Sequence, residues 1–89
     1  MKTAFKKSFA KDLKTHSRNK NLLTMIQKPI LQAETADSVA DIKNLKKLKA
    51  EGHYYRIRIG NYRIGLIIEN KIVTFVRVLH RGEIYRYFP

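Results

Sequence analysis

Cysteine is absent from this chain, so neither a disulfide framework nor a thiolate metal site is available to it. Long apolar runs are missing as well. The first sixteen residues carry a charge every few positions, a pattern that suits neither a signal peptide nor a membrane span. We therefore expect a mature protein that works in the cytoplasm without a membrane partner.

Acidic residues are scarce: seven Asp and Glu stand against 19 Lys and Arg, giving a net charge of +12. Both ends of the chain are basic. Six of the seven basic residues in 1–20 are Lys, whereas six of the seven in 54–89 are Arg. Because the planar guanidinium grips phosphate in a bidentate manner, the first block indicates general electrostatic attraction and the second a site for an anion.

The length of 89 residues suits one small domain with one modest core, so we assign residues 1–89 to a single unit. Residues 2–7 can form a strand, after which Ser8 is a plausible N-cap. Apolar residues at helical spacing predict a first helix from Phe9 and a second that Pro29 should kink or reset. Residues 37–50 fit either a ragged helix or an irregular crossing.

From residue 54 the pattern has the period of a β-strand. Gly60 and Asn61 separate two strand-like runs and predict a tight hairpin. Closing that hairpin places Ile59 opposite Tyr62, Arg58 opposite Arg63, and Arg56 opposite Gly65. Like charges that oppose one another destabilise a sheet, so the crowded arginines indicate an anionic ligand.

The last third of the chain predicts two further strands. Asn70 and Lys71 give a second, weaker turn signal, and residues 72–79 form the most apolar run, which we interpret as a central strand. Residues 80–83 break that run, and residues 84–88 can return as a short last strand. Together these elements predict the α+β class: an N-terminal strand and two helices packed on an antiparallel sheet.

The string from Tyr55 to Arg63, the apolar strand after it, and then Arg81 and Tyr85 resemble the RelE/ParE superfamily of toxins from toxin–antitoxin pairs. The resemblance implies a fold like that of microbial ribonucleases. In the RelE branch it implies a ribosome-dependent endoribonuclease that cleaves messenger RNA and inhibits translation. The site residues it implies here are listed by position: Arg56, Arg58, Arg63, Arg81 and Tyr85. In much of that branch the first two are lysines, and this chain departs from that pattern.

The residues suggest chemistry compatible with that resemblance. No cluster of Asp, Glu and His has metal-ligand spacing, so we expect neither a metal nor another cofactor. Metal-independent cleavage uses the ribose 2′-OH as the nucleophile and needs cations at the phosphate, which Arg58, Arg63 and Arg81 can supply. Because arginine serves poorly as a base, His80 is a candidate proton acceptor with Tyr85 as its partner, and Glu83 stays open either as an ion-pair partner of Arg81 or as the base.

Further residues are predicted to contact RNA: Tyr54 and Tyr87 by stacking on unpaired bases, together with Arg86. Two other functions stay open at this point. One is a ParE-like inhibitor of DNA gyrase without catalytic activity, and the other is a basic RNA-binding module. For the toxin, the expected partners are the ribosome, messenger RNA and a cognate antitoxin with acidic and apolar residues, bound in a hetero-oligomer.

Overall fold

The structure, a computed structural model, describes residues 1–49 and 52–89. It contains five strands, three α-helices and one short 3₁₀ turn at Val39–Asp41. The strands are β1 (Lys2–Phe5), β2 (Leu45–Lys47), β3 (Tyr54–Ile59), β4 (Tyr62–Glu69) and β5 (Ile72–His80). The helices are α1 (Lys7–Thr15), α2 (Lys20–Thr35) and α3 (Ile84–Tyr87). Among these residues no helix is both long and apolar enough to cross a membrane.

The five strands form one sheet in the order β1-β5-β4-β3-β2. All neighbouring pairs are antiparallel except β1 and β5, which run parallel. The predicted α+β class is confirmed, but the sheet is mixed rather than wholly antiparallel. The reason is the crossover: the chain leaves β1, passes through α1 and α2, and returns at the opposite edge of the sheet.

The two faces of the sheet differ in what covers them. The helix face carries Ile57, Ile64 and Leu66, which are buried beneath α1 and α2. The open face carries the alternate residues of the β3–β4 hairpin, including Arg56, Arg58 and Arg63, and is partly covered by α3. The period of two read from the sequence therefore assigns the faces of this hairpin correctly.

A β-bulge explains why the apolar run in β5 shows no alternation. Leu66 pairs with Phe75 but Gly65 pairs with Arg77, so Val76 is an extra residue in β5. Phe75 lies in the main core on the helix face, whereas Val76 and Leu79 join a small second cluster with α3. Both parities are apolar because each part of the strand buries a different set of side chains.

Side chains of helix α1 form hydrogen bonds with the part of the β5 backbone that does not pair with β1. The Ser8 hydroxyl donates to the carbonyl of Val76, and the Asp12 carboxylate accepts from the backbone N–H of Val78 at 3.0 Å. The prediction that Ser8 caps the helix is wrong, because α1 begins at Lys7 and its N-cap is Lys6. Side chains from the helix thus replace the hydrogen bonds of a missing strand.

Helix α2 forms as one continuous helix, capped by the Asn19 side chain, which accepts from the N–H of Leu22 at 3.1 Å. It continues through the buried Pro29. The predicted apolar stripe is confirmed, since Leu22, Ile26 and Ala33 lie in the core. This stripe holds the helix against the sheet although Pro29 supplies no backbone donor.

Two segments differ from their predictions. Residues 37–50 contain the 3₁₀ turn and β2, a strand that the sequence did not reveal; the last residue of that range lies outside the described residues. Within residues 84–88, Ile84–Tyr87 form α3 rather than a strand, and Phe88 follows it in an extended conformation. Ile84 and Phe88 are both buried, and their spacing of four is that of one helical turn.

Candidate functional site

The hairpin of β3 and β4 has the predicted register. Ile59 pairs with Tyr62, Arg58 with Arg63, and Arg56 with Gly65. Gly60 has φ +58°, a left-handed conformation that glycine adopts without strain and that the tight turn requires. The turn thereby fixes three guanidinium groups on the open face.

Arg63 lies at the centre of the charged group. Burial lowers the pKa of its guanidinium, and the neighbouring charges of Arg56, Arg58 and Arg81 lower that pKa further, while Tyr85 raises it. Its Nη1 donates to the carbonyls of Gly60 and Tyr62, both at 2.9 Å. The guanidinium stays charged at neutral pH and is held in place by the turn below it.

The short helix α3 presents Tyr85 beside these arginines. Gly65 leaves room for the ring of Phe88: a Cβ at this position would lie 2.6 Å from the Cγ of Phe88. Phe88 and Ile84 are buried against the sheet, and Tyr85 on the outer side of α3 is 59% exposed. The contact between Gly65 in β4 and Phe88 after α3 therefore sets the position of Tyr85 relative to the arginines of the hairpin.

A buried ion pair connects α1 with this region. Asp12 is 7% exposed and accepts from the Nε and Nη2 of Arg77 at 2.8 and 3.0 Å. The hydrogen bond with Asp12 raises the pKa of Arg77 although burial lowers it. The Arg77 guanidinium lies 5.5 Å from the ring centroid of Tyr87 in α3. Sequence reasoning missed this network, yet Asp12 shares the helical stripe of Phe9 and Leu13, which could have revealed it.

His80 does not join the arginines. It pairs with Tyr62 across β4 and β5, and its ring packs edge-on against Tyr62 at 5.6 Å on the helix face. Its Nδ1 accepts from the N–H of Gly82 at 3.2 Å. The period of two turns the His80 ring away from Arg63, so the structure does not bring this residue to the arginines, and its role as proton acceptor stays a prediction.

The predicted base-stacking residues occupy three different settings. Tyr54 is half-buried and packs edge-on against Phe88, so it belongs to the small cluster under α3 rather than to a free stacking surface. Tyr87 is 53% exposed but lies over Arg77. Arg86 is exposed on α3. In the described part of the chain, Glu83 forms no salt bridge with Arg81.

This arrangement can bind a phosphodiester. The guanidinium groups of Arg56, Arg58 and Arg63 share the open face, and the charges of Arg81 and the exposed Tyr85 act on the pKa of Arg63. Such groups can stabilise the charge that accumulates on a phosphate during transfer. Across residues 1–49 and 52–89, no three His, Asp or Glu side chains are grouped as metal ligands would be.

Comparison with known proteins agrees with the fold and this site. A family model described as the ParE toxin of the type II toxin–antitoxin system parDE matches residues 4–85. Toxin RelE3 of Methanocaldococcus jannaschii is 44% identical over 93 aligned positions, covering both chains completely. These findings define the class: a toxin of a type II toxin–antitoxin system. Within that class, the chain belongs to the ParE toxin family of the RelE/ParE superfamily and is RelE-like.

Solved structures show the same architecture. The RelB–RelE antitoxin–toxin complex from Methanococcus jannaschii gives a TM-score of 0.70 at 41% identity, covering 97% of this chain and 99% of the other. YafQ from E. coli gives a TM-score of 0.66 at 12% identity, covering 93% and 96%. The second likeness concerns the fold alone.

Proposed function

We propose that this toxin is a ribosome-dependent endoribonuclease that cleaves messenger RNA and thereby inhibits translation. The observation that carries the proposal is the environment of Arg63. Arg58 pairs with Arg63 on the open face and Arg56 lies on the same face, while the charges of Arg81 and Tyr85 also act on the pKa of Arg63. A cluster of like charges is costly unless an anion neutralises it, and a phosphodiester on the open face supplies that anion.

In the proposed reaction the ribose 2′-oxygen attacks the adjacent phosphorus and the bond to the 5′-oxygen breaks. The products are a 2′,3′-cyclic phosphate and a 5′-OH. Arg58, Arg63 and Arg81 stabilise the developing negative charge. Arginine rarely gives up a proton, so we assign the role of general acid to Tyr85. Its hydroxyl donates a proton to the leaving 5′-oxygen. The proton lost by the 2′-OH passes to a base supplied by the ribosome or solvent.

Reporter messages test this proposal directly. On expression of the toxin, primer extension should reveal cuts within translated regions. Arg63→Ala and Arg81→Ala should each reduce cleavage about a hundredfold, the typical cost of removing one preorganised charge-stabilising donor. Arg18→Ala, which removes an exposed arginine from the turn between α1 and α2, is the matched control and should keep full activity. Circular dichroism has to stay native in all three variants.

Gyrase inhibition is the second candidate, because the matching family model carries the ParE name. The two functions separate in purified assays. Intact messages together with blocked supercoiling by purified gyrase would favour inhibition and reject the nuclease. Cut messages with unaffected gyrase would support the nuclease.

We also propose a cognate antitoxin as the partner, as in the RelB–RelE complex of the archaeal relative. A groove of about 500 Å³ lies between α2 and β3. Its floor is apolar and includes Met25, Ile57 and Ile59, and its rim carries Lys28 and Arg58. An antitoxin segment with apolar and acidic residues matches this floor and rim, and would hold the pair as a hetero-oligomer.

A further inference from the structure

Strand β2 adds a lysine to the open face. Lys46 pairs directly with Arg56, whose other neighbour across the ladder is Gly65. Side chains of directly opposed residues share a face, so Lys46 lies on the open face beside Arg56. The row of cations therefore continues beyond the hairpin to the edge of the sheet.

The surface between these residues is concave. A cleft of about 250 Å³ is lined by Asn44, Leu45, Lys46, Arg56 and Arg58. The Arg56 Nη1 donates to the carbonyl of Asn44 at 3.3 Å, which fixes the guanidinium at the cleft. Its Nε is buried and has no hydrogen-bond partner among the described residues. A buried donor without a partner is costly, so Arg56 is held at this cleft at the expense of stability.

Two like-charged pairs now lie side by side on the open face. Lys46 opposes Arg56, and Arg58 opposes Arg63. Two residues separate the pairs along β3, a rise of roughly 6.6 Å. Proteins that bind a single strand use a positively charged groove that tracks its backbone, and two separate pairs of cations allow each pair to meet a different phosphate.

From this geometry we infer that Lys46 and Arg56 form a second phosphate subsite, which binds the phosphate next to the one at Arg58 and Arg63. The ligand is single-stranded RNA, and the inference rests on the proposed function. Lys46 acts as a positioning residue: it fixes the register of the strand and does not touch the reacting atoms.

The test compares Lys46→Gln with Lys47→Gln. Both lysines are exposed in β2, but Lys47 pairs with Tyr55 and therefore lies on the helix face. A 2′-O-methyl hexanucleotide, which cannot be cleaved, is titrated into each protein over a range of salt concentrations. Lys46→Gln should weaken binding about threefold to fivefold, the contribution of one exposed ion pair. The slope of log K against log salt should fall by about 0.7, the value for one lost contact with a single strand.

The control should retain affinity within twofold and keep the wild-type slope. In the wild type, the Nε–H resonance of Arg56 should shift during the titration. Equal losses in the two variants, no measurable binding by the wild type, or an unmoved Arg56 resonance would each overturn the subsite. Cleavage is measured separately: uncut messages with Lys46-dependent binding would reject the nuclease and leave the subsite in place.

Discussion

Arg58 shows how a single residue can serve function at the expense of stability. It is exposed and lies opposite Arg63, with no carboxylate paired to it in the described part of the chain. Directly opposed like charges on a sheet repel and cost about 0.2–1 kcal/mol. Its effect on stability and its proposed contribution to phosphate binding therefore have opposite signs.

Replacing Arg58 by Gln keeps the length of the side chain and removes that repulsion. The free energy of unfolding at low salt should rise by up to about 1 kcal/mol, and the gain should shrink as salt screens the charges. RNA cleavage should fall at least tenfold. Thermal unfolding at several salt concentrations and primer extension measure the two effects. Arg18→Gln should change neither, and a less stable Arg58→Gln protein would contradict the repulsion.

Substitutions of Tyr85 and His80 should have different effects on cleavage, because Tyr85 lies on the outer side of α3 and His80 lies on the helix face of the sheet. Tyr85→Phe keeps the ring and removes the hydroxyl assigned to the leaving group, so cleavage should fall about a hundredfold or more. His80→Ala removes a ring that packs on Tyr62 away from the arginines, and cleavage should stay within a few fold. Single-turnover cleavage on programmed ribosomes distinguishes these outcomes. An inactive but folded His80→Ala protein would restore histidine as the base.

At the level of elements, α3 depends on one glycine in β4. Gly65→Ala would place a methyl group 2.6 Å from the ring of buried Phe88, which must then move. Overpacking of this kind typically costs about 1–3 kcal/mol. We expect thermal stability to fall by that amount and cleavage to fall with it, because α3 carries Tyr85.

Gly82→Ala is the matched control for that substitution. A Cβ there meets only the Nδ1 of His80, at an ordinary 3.6 Å. Stability should remain within about 0.5 kcal/mol of the wild type, as for most surface substitutions. If both alanine variants behave alike, the contact between Gly65 and Phe88 does not position α3.

Some of these elements could be predicted from the sequence and others could not. The hairpin register followed from the alternation of Arg56, Ile57 and Arg58 and from the Gly60 turn, because both signals are local. Strand β2 escaped prediction because three residues give too short a pattern, and Lys46 was missed with it. The orientation of His80 depended on the bulge at Val76, which shifts the alternation of β5 and which an apolar run conceals.

At the level of the whole molecule, the net charge of +12 favours both of the proposed partners, RNA and an acidic antitoxin. A substitution in the groove between α2 and β3 should change antitoxin binding without changing RNA binding. Met25 is 40% exposed on its floor. Met25→Glu should weaken antitoxin binding by tenfold or more, because it places a carboxylate where an acidic, apolar segment docks.

Leu31→Glu is the control, since Leu31 is 60% exposed on the same helix and does not line the groove. Its affinity for the antitoxin should remain within twofold of the wild type. Calorimetric titration of each toxin variant with the antitoxin measures the difference. Equal affinities for Met25→Glu and the wild type would place the antitoxin elsewhere on the toxin.

The parallel pairing of β1 with β5 joins Lys2 to Ile72, across most of the length of the chain. Closing so long a loop is slow, and the interior of the sheet has no partner for β1 until β5 exists. Tyr85 comes later still. Under the proposed function, a chain still under synthesis would lack a complete nuclease site for most of its translation, and the ribosome that makes it would be spared until the last residues emerge.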